Sequence, residues 1–225
     1  LTEQKNHIRI FERVRIAVLL TFISGFLDAY TFSTQGERFA GIQTGNLIYL
    51  MKSLADQDFA MAGSYLLPIV AFMLGGIFTY FARKYAVEHK RLHWHAFAAL
   101  IIFVIVLITS LVAKAAPAQW MIISLAFVSA IQLESFKKMR GAPYTNIMMT
   151  GNIKNLSVFI TQGLVEKNKT VLKRGLNTLS VVLSFALGAF VSTSLALHFG
   201  KVALFAVLPV ILIFNLALHF EKHDL

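Results

Sequence analysis

Apolar residues run with few interruptions over about 14–33, 60–82, 96–113, 118–136, 176–198 and 202–220. Each run is close to the roughly 20 residues that an α-helix needs to cross a hydrocarbon core. Two shorter apolar segments, about 46–55 and 152–163, each follow an irregular stretch, 34–45 and 141–151. At ~1.5 Å rise per residue they are too short to cross alone. The breaks between runs are a polar turn at Asp56-Gln57-Asp58, basic loops at 83–95 and 164–175, and a tight turn at Ala115-Ala116-Pro117. The pattern predicts an all-α polytopic membrane protein. It has six transmembrane helices and two re-entrant half-helices, in a single membrane domain over 1–225.

Each short segment opens on the same triplet, Thr44-Gly45-Asn46 and Thr150-Gly151-Asn152. A shift of 106 residues superposes the triplets, Leu50 on Leu156 and Asp28 on Glu134; a shift of 113 places Phe72, Leu74 and Gly75 on Phe185, Leu187 and Gly188. The chain therefore reads as two repeats, 14–113 and 118–220. Each contains three full spans, an odd number, so the second must start on the opposite side of the membrane. That makes the repeats inverted, a pattern of many secondary transporters.

Composition agrees. The chain is 57% hydrophobic and 14% charged, against roughly 45–50% and about 25% for a soluble domain. The first run carries Asp28 and lacks a small-residue cleavage site, so it is expected to stay as a span and not be cleaved as a signal peptide. There is no cysteine, which excludes disulfides, thiolate metal sites and thiol nucleophiles.

The net charge of +10 does not point to nucleic acid, because the basic residues sit in short loops between spans. With a cytoplasmic N-terminus and both short helices re-entrant, sixteen Lys and Arg face the cytoplasm, in Lys5 to Arg15, Arg83 to Arg91, Lys137 to Arg140, Lys167 to Arg174, and Lys222. Only Arg38, Lys52, Lys114 and Lys201 face outward. The positive-inside rule then puts both termini in the cytoplasm.

The element Gly25-Phe26-Leu27-Asp28-Ala29-Tyr30-Thr31-Phe32, followed by Gln43-Thr44-Gly45-Asn46, resembles the YoaK family, also called DUF1275, of bacterial inner-membrane proteins. The resemblance covers essentially the whole chain in length and span pattern. It implies a multi-pass protein of the bacterial inner membrane and adds no chemistry.

The candidate site follows from the inversion. Gly allows a tight backbone, and Thr or Asn is expected to cap the first free N–H groups of each short helix. Both helix starts should lie near mid-membrane, where their partial positive charges favour an anion. The expected substrate-binding residues are therefore Thr44, Gly45, Asn46, Thr150, Gly151 and Asn152. Asp28 lies within a span, where an ionisable group is costly. It either couples protons or faces substrate, or it hydrogen-bonds the 34–45 arm. Glu134 stands at the equivalent position but also three residues before Lys137, in reach of a surface ion pair. Gln43 and Gln132 either read a substrate or satisfy backbone groups. Lys154, in the first turn of the second short helix, opposes the helix dipole and needs a compensating charge.

Gly75 with Thr79, and Gly188 with Ser192, have the spacing of helix-packing faces. His89, His93 and His95 sit in a basic loop and are read as topology signals. No nucleophile–base pair, phosphate loop or H-E-x-x-H motif is present, so no enzymatic activity, cofactor or metal is expected. The expected function is transport of a small, anionic solute by a secondary, proton-coupled carrier. The alternatives are a passive channel of the same fold and a non-transporting membrane protein that binds a partner or lipid. The expected partners are the lipid bilayer, the small-molecule or ion substrate and a second copy in a homodimer, with no nucleic acid.

Overall fold

The computed structural model describes residues 9–88 and 93–220. Lys5, His89, Lys90, Arg91 and Lys222 lie outside the described residues. A 3-10 turn at Ile10–Glu12 precedes α1 (Val14–Thr34), α2 (Gln43–Ala55), α3 (Phe59–Glu88), α4 (Trp94–Val112) and α5 (Ala118–Ser135). A two-residue hairpin, β1 (Lys138–Met139) and β2 (Ala142–Pro143), leads to α6 (Met149–Val165) and α7 (Lys169–Phe199). A 3-10 stretch, Gly200–Val207, then passes into α8 (Leu208–Phe220).

Among the described residues the architecture is helical, and five segments are long and apolar enough to cross a membrane: Val14–Thr34, Phe59–Glu88, Trp94–Val112, Ala118–Ser135 and Lys169–Leu218. The last is a 50-residue stretch that takes in α7, the 3-10 segment and α8. Gly200, at φ 56°, marks the break inside it.

Several helix ends differ from expectation for local reasons. The helix over 60–82 continues to Glu88, because Arg83, Lys84 and Glu88 are good helix formers and Lys84 can pair with Glu88 one turn on, at 3.9 Å. The segment 169–175, read as loop, is the first part of α7. Its N-terminus is fixed by Asn168, whose Oδ1 accepts from the N–H groups of Thr170 (3.1 Å) and Val171 (3.2 Å). The segment read as one helix over 202–220 is 3-10 up to Val207 and α-helical only from Leu208.

Helix pairing crosses the two halves. α1 packs chiefly on α7, and α3 on α5. Ser184 Oγ donates to Val18 O at 2.7 Å, and one turn further Gly188 lies on Phe22. The two helices therefore run parallel. A Cβ at Gly188 would fall 2.2 Å from Phe22 O, and one at Gly25 2.1 Å from Phe185 O. In the other pair Gly75 rests on Phe127, with its Cβ position 2.6 Å from Phe127 O. Further along, Arg83 faces the same cavity as Glu134 and Lys137, so α3 and α5 are also parallel. Thr79 and Ser192 are buried beside these glycines, as packing faces require.

The short helices attach antiparallel to their successors, α2 to α3 and α6 to α7. Tyr49 stacks on Tyr65 in one pair, and Gly163 abuts Leu172 in the other. Both end in the same turn. Gln57 and Lys167 take positive φ, and the following N–H closes back five residues, Asp58 to Ser53 O and Asn168 to Gly163 O.

The bundle ends are chemically unlike. At one, Glu12 receives the N–H groups of Arg140 (2.6 Å, to its carbonyl) and Gly141 (2.9 Å, to Oε2), and Phe11 stacks on His95 at 3.5 Å. Arg83, Lys84, Lys137 and Lys138 gather there. At the other, Tyr30 OH donates to Lys201 O (2.8 Å) and Lys201 Nζ to Ala116 O (3.2 Å).

Candidate functional site

Between α1 and α2 the chain forms an irregular arm over 35–42, which lies back along the end of α1. Backbone groups in such a segment need partners when buried. Asp28 supplies two: its Oδ1 accepts from Gly41 N–H at 2.6 Å and from Ile42 N–H at 3.3 Å. Thr31 Oγ1 accepts from Ala40 N–H at 3.1 Å. Gln43 Nε2 donates to Ala40 O at 2.8 Å. Asn46 folds back over the arm, taking Phe39 N–H on Oδ1 (2.9 Å) and giving Nδ2 to Phe39 O and Gln43 Oε1 (both 2.8 Å). Asp28 is 3% exposed, and its second oxygen, Oδ2, has no hydrogen-bond partner among the described residues.

The second arm, 136–148, is held by a different set. Asn146, fully buried, donates through Nδ2 to Phe136 O at 2.9 Å. Gln132 Nε2 donates to Ser24 Oγ (2.6 Å) and Leu20 O (3.0 Å) on α1, with Asn146 Oδ1 at 3.4 Å. Asn152 Nδ2 donates to Thr145 O at 2.7 Å. That bond repeats the one from Asn46 to Phe39 O, because a shift of 106 carries each partner onto its counterpart.

The arms meet. A Cβ built on Gly41 would come within 2.5 Å of Ile147 Cγ2 and 3.1 Å of Asp28 Oδ2. Gly41 and Ile147 each precede a helix start by two residues, so α2 and α6 begin beside the same crossing. Both are at least 13 residues long and carry the partial positive charge of a helix N-terminus toward it.

The triplets do not cap these helices as expected. The helices start three residues earlier, at Gln43 and Met149, and the N-cap positions are Ile42 and Met148, with no side-chain cap. Asn46 and Asn152 sit in the first turn and face the arm instead. Thr44, Thr150 and Gly151 are exposed, and Gly45 leans on the Phe39 ring.

Of the expected site residues, Asp28, Gln43 and Asn46 surround the first arm. Gln132 and Asn152 hold the second, and the Gly41–Ile147 contact joins the two groups. Glu134 does not take part. It forms an ion pair with Lys137 at the basic end, because its place on α5 turns away from the arm. Lys154 is exposed on α6. Sequence reasoning overlooked Gly41, Asn146, Thr31 and Ser24. A signal existed for Asn146, a lone amide within the second arm.

A family model described as "Protein of unknown function (DUF1275)" matches residues 16–218. The chain belongs to this family. The matched DUF1275 segment spans α1 to Leu218 and so includes both arms and their crossing. No curated protein and no solved structure matches the chain.

Proposed function

We propose that this DUF1275 protein is a secondary carrier for a small anionic solute, bound where α2 and α6 begin. One observation carries the reading: the arms touch at Gly41 and Ile147, so two helix N-termini converge beside a buried carboxylate. Paired half-helix starts of this kind suit an anion near mid-membrane. Asp28 takes up the coupling proton. Charged, it accepts from Gly41 and Ile42 and holds the first arm against α1; protonated, it holds them more weakly and lets the arm move.

In this reading the chain makes six spans in two inverted repeats. The parallel pairing of α1 with α7 and of α3 with α5 supports it, because exchanging the halves exchanges the two pairs. The basic end is cytoplasmic, by the positive-inside rule, in a bacterial inner membrane. The polar stripe Thr150, Lys154, Ser157 and Thr161 on α6 is exposed. Lipid would solvate it poorly, which favours a second copy packed there.

Purified protein in liposomes tests the proposal with labelled sulfate, phosphate, acetate and chloride, each with and without an imposed pH gradient. Saturable uptake driven by the gradient and lost in Asp28→Asn supports the carrier. Non-saturable flux of the same ions identifies a channel instead, and no flux of any of them removes transport of these anions.

A further inference from the structure

Glu134, absent from the arm crossing, borders a cavity of about 400 Å³ between the last turns of α3 and the end of α5. Three cations, Arg83, Lys84 and Lys137, line it with two carboxylates, Glu88 and Glu134. Each carboxylate pairs with a lysine of the same wall, Lys84 with Glu88 and Lys137 with Glu134. The cavity lies at the end of the bundle where Lys138 and Arg140 also gather.

Its depth follows from the length of α3. Thirty residues span about 45 Å at ~1.5 Å each, against a hydrocarbon core of about 30 Å. The charged residues of the helix, Arg83, Lys84 and Glu88, are all in its final turns, so these are the turns that stand in the headgroup layer. Tyr80 and Tyr85 are exposed at that level, as interfacial aromatics are. Met73 and Ile77 lie below it and Phe81 within it; the three recur every four residues and are all exposed, an apolar ridge on the helix that carries Arg83 and Lys84.

We propose that this cavity binds the headgroup of an anionic phospholipid, with its phosphate on Arg83, Lys84 and Lys137 and its acyl chains along the Met73–Ile77–Phe81 ridge. A free anion would use the cations but not the ridge, which is why the lipid is the occupant. Basic pockets between spans on the cytoplasmic side recognise such lipids. The site is separate from the arm crossing and does not depend on transport.

The test titrates the purified full chain in neutral detergent with phosphatidylglycerol, phosphatidylcholine or inorganic phosphate. Bound lipid is read by native mass spectrometry and Tm by thermal shift. Phosphatidylglycerol is expected to stay bound and raise Tm, and the other two are not. Arg83→Ala with Lys137→Ala should weaken phosphatidylglycerol binding on the order of tenfold, while Lys52→Ala with Lys114→Ala, at the opposite end, leaves it unchanged. Glu134→Gln removes the carboxylate competing for Lys137 and should tighten binding, which keeps the test decisive if the double variant does not fold. Equal retention of both lipids, undiminished binding in the Arg83/Lys137 variant, no gain in Glu134→Gln, or the same shift from phosphate alone would overturn the proposal.

Discussion

Gly41 and Ile147 touch where the two irregular arms cross, and they lie 106 residues apart, the offset that superposes the two Thr-Gly-Asn triplets. Any side chain at Gly41 must displace Ile147 or Asp28. Gly41→Ala is therefore expected to lower stability by about 1–3 kcal/mol, the usual range for overpacking. Ile147→Ala opens a cavity and costs stability by itself, but it also makes room at Gly41, so the two losses together should be smaller than their sum. Thermal unfolding of the four proteins in the double-mutant cycle measures the coupling.

Asp28 can be divided into its two roles by two substitutions. Asp28→Asn keeps an oxygen for the Gly41 and Ile42 N–H groups, so the fold should persist while gradient-driven uptake disappears. Asp28→Ala leaves both donors unpaired in a buried place and should also cost about 1–3 kcal/mol. Equal loss of stability in the two variants would sink the assignment of the hydrogen bonds.

The packing glycines carry their own control. Gly188→Ala pushes a methyl into Phe22 O at 2.2 Å and Gly75→Ala into Phe127 O at 2.6 Å, both rigid backbone. Gly76, next in sequence, has nothing within 4 Å of its Cβ position. The first two should reduce the yield of folded protein sharply, and Gly76→Ala should leave it unchanged, as followed by size-exclusion chromatography.

Asn46 and Asn152 are equivalent by position but unequal in bonding. Asn46 makes three hydrogen bonds across its arm and Asn152 one, with a long contact of 3.6 Å to Met149 Sδ. Asn46→Ala should lower Tm more than Asn152→Ala. The reverse order would mean that the first arm is held mainly by Asp28 and Thr31.

What was legible in the sequence was what water and lipid impose: the long apolar runs, the clustering of basic residues between them and the short helices after irregular arms. The packing glycines were legible too: Gly75 and Gly188, singled out by their small-residue spacing, both rest on the backbone of a neighbouring helix. The asymmetry between the halves was not. Asp28 and Glu134 align, yet Asp28 faces its arm and Glu134 faces the basic cavity. In the second half the arm is tied by its own Asn146, which bonds Phe136 O, and by Gln132, which links Asn146 to α1. A side chain's direction depends on how its helix is rotated in the bundle, and linear alignment does not carry that. The triplets were misplaced by one turn for a related reason: Asn is a common cap, but here its amide binds more of the arm than a cap would.

The parallel pair α1–α7 has a further consequence. Val18 meets Ser184 across 166 residues, so α1 enters the membrane long before its main neighbour exists. At about 5–20 residues per second that interval lasts on the order of ten seconds. During it the bare backbone at Gly25, later covered by Phe185, faces lipid or the insertion machinery. Assembly thus waits on the last quarter of the chain, and a ribosome stalled before α7 leaves α1 without the helix that covers Gly25.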